Sequence, residues 1–345
     1  MNIAVIGAGG WGTTLAILLH ENGNLVRLWE FDPGYARQMV KTRHNPAFLP
    51  GVRIPEEILI SSDMAEVLSG SNMVVFAVPS EFMRDVAKKA APCFAEDAGL
   101  ACEVSPLVVS VAKGIENETL RRMSEVLAEE LPVKPDQIVA LSGPSHAEEV
   151  SRKIPTTVVA ASSSLEFAGK VQSTFMTSTL RVYTNRDIVG VELGGSLKNV
   201  IALAAGICDG LGFGDNTKGA LITRGLAEIT RLGVAMGADP LTFAGLSGMG
   251  DLITTCISRH SRNRYVGEQI GQGRRLNEIL AGMKMVAEGV RTTRSAFQLS
   301  RKMGVEMPIT EKVYRVLFQN EDPKIAVAEL MTREAKPEVW WSPHG

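Results

Sequence analysis

Asn2-Ile3-Ala4-Val5-Ile6-Gly7-Ala8-Gly9-Gly10-Trp11-Gly12 is an apolar β-type run followed at once by G-x-G-x-x-G. Thr13 to Asn22 then has the composition of a helix, and Leu25 to Trp29 reads as a second strand ending at Glu30. Each glycine has a mechanical reason in that setting. One makes the tight turn, one lets a pyrophosphate approach the backbone, and one lets helix and strand pack closely, with the phosphates at the positive helix end. The spacing alone is a weak signal, but strand, loop, helix and second strand together are the context of a dinucleotide site. Gly7, Gly9, Gly10, Trp11 and Gly12 are therefore expected at the cofactor.

Outward from this unit, short β-rich runs alternate with helical stretches as far as Thr184, which predicts a mostly parallel sheet with helices on both faces. The strands expected are Ile3 to Ile6, Leu25 to Trp29, Ile58 to Ser61, Met73 to Val78, Leu107 to Val111, Ile138 to Leu141, Thr156 to Ala161 and Leu180 to Tyr183. Asp32 before Pro33 reads as a helix cap, and Ser80 as the cap of a helix over Phe82 to Ala91. Beyond Asp187 β-branched runs nearly vanish, and Ala, Leu, Gly and Met recur at helical spacing through Leu330. The expected division is an α/β Rossmann-type domain over 1–187 and an all-α domain over 188–345. Breaks in the second are expected at Gly210 to Asp215, Gly237 to Pro240, Gly271 to Arg275 and Met307-Pro308. The tail with Trp340, Trp341 and Pro343 reads as an irregular end.

A chain of 345 residues exceeds what one core usually supports, which agrees with two units. Its formal charge of -2 gives no electrostatic footprint for nucleic acid or anionic lipid, so a small-molecule site is expected. Cys93, Cys102, Cys208 and Cys256 form no C-x-x-C pair and read as reduced thiols. Ile3 to Leu19 is uncharged but glycine-broken and without a basic leader, and no other run is expected to reach the ~18 apolar residues of a membrane span. A cytoplasmic location is the expectation.

Cofactor choice falls where the second strand ends, at Glu30-Phe31-Asp32. Two carboxylates and no basic residue favour NAD(H), with NADP(H) open but less favoured. If Asp32 is spent on capping, Glu30 alone is left for the ribose hydroxyls. Hydride chemistry then needs a proton donor for the alkoxide. His20, His44, His146, His260 and His344 are scattered without metal-ligand spacing, and no Y-x-x-x-K occurs. Gly194-Gly195-Ser196-Leu197-Lys198-Asn199 instead sets a lysine early in a long apolar helix, where desolvation favours the neutral amine. The same lysine could snorkel from a helix edge. Ser261-Arg262-Asn263 offers hydroxyl, guanidinium and amide at a helix start, either as an anion site or as a plain exposed turn.

Five segments together resemble the NAD(P)-dependent glycerol-3-phosphate dehydrogenases from Ile3 to about Phe318. They are Gly7 to Gly12, Ser110 to Ile115, Leu141 to Ala147, Glu192 to Asn199, and Gly248 to Cys256 followed by Ser261-Arg262-Asn263. The resemblance implies a Rossmann half and a helical half of the 6-phosphogluconate dehydrogenase-like type. It implies interconversion of sn-glycerol 3-phosphate and dihydroxyacetone phosphate, feeding glycerophospholipid synthesis, by a homodimer. Lys198 would take the proton, with Lys113 and Asp251 beside it and Asp251 and Asn199 orienting the ammonium. Gly143, Ser145, Thr255, Ser261, Arg262 and Asn263 would meet the small phosphorylated triose, with Arg262 as the phosphate anchor. Phe31, Phe82, Lys113, Ala147, Arg262, Val286 and Glu288 would meet the cofactor. Many bacterial members carry a basic residue or histidine where Phe31 stands, and that departure puts NADP use in doubt. Two other readings are a lysine-dependent hydroxyacid dehydrogenase of the hydroxyisobutyrate and 6-phosphogluconate group, and a non-catalytic NAD sensor. The first would need a different anion pocket from Ser261-Arg262-Asn263, and the second would have lost the lysines.

Overall fold

The computed structural model describes residues 1–94, 106–283 and 285–338. Cys102, His344 and the tryptophan tail of Trp340, Trp341 and Pro343 lie outside the described residues. Ten strands are β1 Asn2–Ile6, β2 Leu25–Trp29, β3 His44–Asn45, β4 Leu49–Arg53, β5 Leu59–Ser61, β6 Met73–Phe76, β7 Leu107–Ser110, β8 Ile138–Ser142, β9 Thr156–Ala161 and β10 Leu180–Asn185. The α-helices of the first half are α1 Gly10–Glu21, α2 Pro33–Thr42, α3 Met64–Leu68, α4 Met83–Ala90, α5 Met123–Glu130, α6 Ala147–Val150 and α7 Leu165–Phe175. Those of the second are α8 Ile188–Gly210, α9 Asp215–Ala235, α10 Asp251–Ile257, α11 Arg262–Gly271, α12 Leu276–Ala281, α13 Glu288–Met303, α14 Pro308–Phe318 and α15 Pro323–Met331.

Eight strands form one sheet in the order β10-β9-β8-β7-β6-β1-β2-β5. Every pairing is parallel except β8 with β9, so the mostly parallel Rossmann-type sheet expected from the alternation is what forms. Strands buried on both faces read as near-continuous apolar runs, and β6 and β7 do, with Met73-Val74-Val75-Phe76 and Leu107-Val108-Val109 buried and Ser110 the one polar residue closing β7. The direction of winding reverses between β1 and β6, and a crevice opens at the carboxyl ends there, where such sheets bind ligands. All eight predicted strands are present with ends shifted by a residue or two. The β3–β4 hairpin was not anticipated, because Leu49-Pro50-Gly51-Val52-Arg53 carries proline and glycine inside a strand.

Asp32 caps α2 as expected, its carboxylate accepting from the Tyr35 N–H at 2.6 Å. Ser80 does not cap α4. It begins a short 3₁₀ turn, Ser80–Phe82, and its own N–H donates instead to Glu288. The helical breaks fall where glycine and proline put them, and Asp187 caps α8 by accepting from Gly190 N–H at 2.8 Å.

Helix α8 is the axis of the second half, with α9, α10, α11, α13 and α14 packed around it. It also corrects the membrane expectation. Among the described residues it is the one helix long and apolar enough to cross a bilayer, and 89% of its apolar window is buried inside the protein. Its apolarity is explained by being enclosed on all sides. Helix α11 runs alongside it at backbone contact, made possible by glycines on both. A Cβ on Gly206 would stand 2.0 Å from the Arg264 carbonyl oxygen, and one on Gly267 2.0 Å from that of Leu203. The approach sets Asn263 opposite Asn199, whose Oδ1 accepts from the Asn263 amide at 2.9 Å.

Gly267→Ala must therefore push the two helices apart. It is expected to destabilise by about 1–3 kcal/mol, seen as a lower urea midpoint at unchanged m value. An unchanged midpoint would show that the close approach is not required.

Candidate active site

A continuous cleft of about 690 Å³ runs from the Gly7–Gly10 loop to Lys198 and Glu288. It lies between the carboxyl ends of the central strands and helices α8, α10, α11 and α13. Of the residues picked out in the sequence, Gly7, Gly9, Gly10, Trp11, Phe31, Phe82, Lys113, Ser145, Ala147, Lys198, Thr255, Ser261, Arg262, Asn263, Val286 and Glu288 all line it. Gly12, Gly143 and Asp251 stand directly behind its wall. A Cβ on Gly12 would lie 1.9 Å from the Gly7 carbonyl oxygen, which is why only glycine lets α1 start so close to β1. Gly7 itself has φ +110°, the left-handed region that disfavours side chains. At Gly9 a Cβ would meet nothing within 4 Å, so the loop exposes bare backbone to the cleft beside the N-terminus of α1. These are the properties a pyrophosphate cradle needs.

At the far side of β2, Glu30 is buried, and one carboxylate oxygen accepts from the Asp32 N–H at 3.1 Å. Burial pushes its pKa up, the Asp32 hydrogen bond opposing. Phe31 is 71% exposed and Phe82 48%, so both present apolar ring surface where they line the cleft. Asp85 joins Glu30 on this stretch of wall.

At the opposite end stand the two lysines. Lys113 follows β7, and Lys198 lies at the eleventh position of the 23-residue α8, not early in it. Asp251 begins α10 immediately after a π-helical turn, Leu246–Gly250. The carboxylate is shared between the lysines, Oδ1 with Lys198 Nζ at 2.6 Å and Oδ2 with Lys113 Nζ at 2.8 Å. Lys113 also donates to the Gly143 carbonyl at 2.9 Å, and Lys198 to the Thr255 hydroxyl at 2.6 Å. Thr255 in turn donates to the Asp251 carbonyl, 2.6 Å away. Burial draws the Lys198 ammonium down to about 8, the Asp251 charge opposing and the Lys113 charge assisting. Burial alone would raise the Asp251 pKa, but the Lys113 and Lys198 charges outweigh it and hold the carboxyl below its ordinary value.

Asn199 does not orient the Lys198 ammonium as expected. One residue further round the helix it faces elsewhere, donating to the Lys113 carbonyl at 3.4 Å and accepting from Asn263. Thr255 takes the orienting part. Asn263 is largely committed to packing, its Oδ1 accepting from Gly289 N–H at 2.9 Å, which leaves it one amide N–H. Ser261 caps α11 through its oxygen, accepting from Arg264 N–H at 3.2 Å, and keeps its hydroxyl proton to give. Arg262 is exposed at the cleft, its charge felt by the partly buried Glu288, whose carboxyl burial pushes up. Ser145 donates to the Gly143 carbonyl.

The sequence did not single out His146 and His260. Their rings meet at 5.9 Å between centroids, one from the β8–α6 loop and one from the α10–α11 connection. Burial, then Lys198 and Lys113, hold the His146 pKa below its ordinary value. The available signal was position, since His146 sits within Ser142-Gly143-Pro144-Ser145-His146-Ala147 and His260 directly precedes Ser261. Among the described residues no cluster of metal-ligating side chains occurs. Cys93, Cys208 and Cys256 are free thiols, as expected.

Two family models cover most of the chain. Residues 2–168 match the NAD-dependent glycerol-3-phosphate dehydrogenase N-terminus, and residues 187–328 match its C-terminus. A glycerol-3-phosphate dehydrogenase [NAD(P)+] of Chlorobium phaeobacteroides (strain BS1) is 54% identical over 340 residues, covering 98% of this chain and 99% of that protein. One from Pelotomaculum thermopropionicum is 56% identical, over 96% of this chain and 93% of its own length. The crystal structure of glycerol-3-phosphate dehydrogenase from Coxiella burnetii superposes with a TM-score of 0.89 at 36% identity, covering 96% of this chain and 98% of that one.

Proposed function

This chain belongs to the NAD-dependent glycerol-3-phosphate dehydrogenase family, and from that premise we propose how its residues interconvert sn-glycerol 3-phosphate and dihydroxyacetone phosphate. The observation that carries the reading is the Asp251 carboxylate shared by the buried Lys198 and the half-buried Lys113 at one end of a cleft whose other end is the glycine loop.

A bound nicotinamide supplies the hydride acceptor for the substrate's C2. Lys198 takes the proton. In the neutral amine two N–H bonds are drawn to Asp251 and to Thr255, whose own proton is committed to the Asp251 carbonyl. The lone pair is thereby turned toward the third direction, where the C2 hydroxyl would stand. In the reverse reaction the same nitrogen, protonated, returns the proton to the oxygen on C2. Lys113 has two of its three donors engaged and gives the third to that oxygen, stabilising alkoxide character. Arg262 binds the phosphate, helped by the Ser261 hydroxyl, the remaining Asn263 N–H and the start of α11. Gly143 and Ser145 border the substrate. Gly7, Gly9, Gly10, Trp11 and Gly12 cradle the dinucleotide, with Phe31 and Phe82 at its adenosine end and Ala147, Val286, Glu288, Lys113 and Arg262 toward the nicotinamide. Residues 1–187 act as the dinucleotide half and 188–345 as the substrate half. The enzyme works as a cytoplasmic homodimer supplying glycerol 3-phosphate for glycerophospholipid synthesis.

The testing assay mixes purified protein, NADH and dihydroxyacetone phosphate and follows loss of nicotinamide absorbance. Lys198→Ala should retain NADH binding but lose turnover by several powers of ten, since proton transfer alone is worth about 100- to 10,000-fold and alkoxide stabilisation goes too. A variant with near-native turnover would refute the assignment.

The pH dependence follows from Lys198. Oxidation needs the neutral amine, so kcat/KM for glycerol 3-phosphate should rise with pH through about 8. Reduction needs the ammonium and should fall through the same range. Profiles flat across it would remove Lys198 as the titrating group.

NADP would bring its 2′-phosphate against Glu30 and Asp85. Because like-charge juxtaposition is costly, kcat/KM for NADH should exceed that for NADPH by about 10-fold or more, each decade being about 1.4 kcal/mol. Equal use of both coenzymes at ordinary salt would contradict this.

A further inference from the structure

Glu192 lies on α8 six residues before Lys198, is buried, and takes no part in the chemistry above. Its carboxylate collects three donors from one short segment. Oε1 accepts from Ser124 N–H at 2.7 Å, and Oε2 accepts from Ser124 Oγ at 2.6 Å and from the Arg122 guanidinium at 2.6 Å. A carboxylate removed from water is tolerated only when so matched, and removing one partner of such a pair is strongly destabilising.

What the segment is attached to gives the contact its meaning. Arg122 closes a turn that starts two residues after Lys113. Ile115 and Arg122 form an isolated antiparallel bridge, and Glu116 N–H donates to the Arg121 carbonyl at 2.9 Å. Ile115 is buried in the hydrophobic core of the helical half, with Leu120 packed against it. On its other side the turn is held by Arg84 of α4, which pairs bidentately with Glu116 at 2.7 Å. The loop carrying Lys113 thus comes from the sheet but is fastened to the helix carrying Lys198. Nothing covalent sets the distance between the lysines.

We infer that the Glu192–Arg122 ion pair is a positioning device that locks the Ile115–Arg122 turn onto α8 and so sets Lys113, two residues before the turn, against Asp251 and Lys198. This rests on the reading of Lys198 as the proton-transferring group. Glu192 and Arg122 are positioning residues, acting through Lys113. Asp251 and Cys256 of α10, Lys113, His146 and Glu288 are the titratable groups around Lys198, and of these only Lys113 adjoins the tethered turn.

The experiment compares wild type, Glu192→Gln, Arg122→Lys, Lys113→Ala and the double variant Lys113→Ala/Glu192→Gln in the full chain. Circular dichroism and NADH binding check that each is folded. A misplacement on the order of 1 Å costs on the order of 100-fold, so Glu192→Gln should lower kcat/KM for dihydroxyacetone phosphate by about 10- to 100-fold with NADH affinity kept. It should also move the pH profile upward, in the direction that Lys113→Ala moves it, because a nearby positive charge has been withdrawn from Lys198. Arg122→Lys, which keeps the charge, should recover most of the rate. If Glu192 acts through Lys113, the double variant should be no slower than Lys113→Ala alone. A Glu192→Gln enzyme that melts earlier but keeps the wild-type rate and profile would overturn the inference, as would losses that multiply in the double variant. Should Glu192→Gln fail to fold, Arg122→Gln, which spares the Ser124 bonds, carries the same comparison. Failure of the underlying reading shows separately, as near-native turnover in Lys198→Ala.

Discussion

Two ammonium groups in the cleft wall share one carboxylate behind it, and the rest of the site follows from that arrangement. Asp251 is 2% exposed and Lys198 5%, so water does little to solvate either. One negative charge cannot neutralise two positive ones, and the trio keeps a net positive charge in a place where charge is costly. The shortfall is met partly by the lowered Lys198 pKa and partly by neutral oxygens from Gly143 and Thr255. It is also what makes the site useful. On the proposed reading an alkoxide forming on the substrate would be the missing negative charge, and fixed donors aimed at developing charge need no reorganisation when it appears.

Holding the trio requires elements from distant parts of the chain to converge. Lys113 comes from the end of a parallel strand, Lys198 from the middle of the central helix, and Asp251 from the first turn after a π-helical segment. That segment is compact because Gly248 leaves room at the Phe243 backbone, where a Cβ would stand 2.1 Å from the carbonyl oxygen. Each neighbour is fastened by buried polar contacts. Glu192 binds the turn after Lys113, Asn199 binds the Lys113 carbonyl, and Asn263 joins α8, α11 and the start of α13. Glu228, in the second half of α9, is similarly buried, accepting from the first backbone N–H groups of α14. Helix ends inside the core are satisfied by side chains in place of water, and the cost of leaving one unsatisfied holds the register.

What could be read from the sequence was what depends on neighbours along the chain. The glycine loop, the Asp32 cap, the strand set and the change of character at Asp187 are local or periodic features, and each is present. Lys113, Lys198 and Asp251 could be named from motifs, but their shared carboxylate could not be deduced from spacing. Asn199 was given the wrong partner because adjacency to Lys198 in sequence means about 100° of rotation on a helix. The position that faces Lys198 came from α10, as Thr255. The His146–His260 contact and the Ser80–Glu288 bond were illegible for the same reason, since both join the two halves. The apolarity of α8 misled in another way, because total enclosure within a protein and exposure to lipid select the same side chains.

Charge is graded along the cleft, and this bears on how substrate and coenzyme are told apart. At the β2 end the wall carries Glu30 and Asp85 beside exposed phenyl rings. Elsewhere it carries Lys113, Lys198 and Arg262, together with the acids Glu148 and Glu288. Both ligands are phosphate esters and would be drawn to positive charge, yet a pyrophosphate can be held by backbone N–H groups at a helix N-terminus without any cation. The glycine loop provides that alternative. On the proposed reading the cations would thereby be left for the smaller anion, whose phosphate would fix C2 beside Lys198. In a substrate of three carbons the phosphate is almost the only handle, and binding energy at that remote group is what positions the reacting carbon.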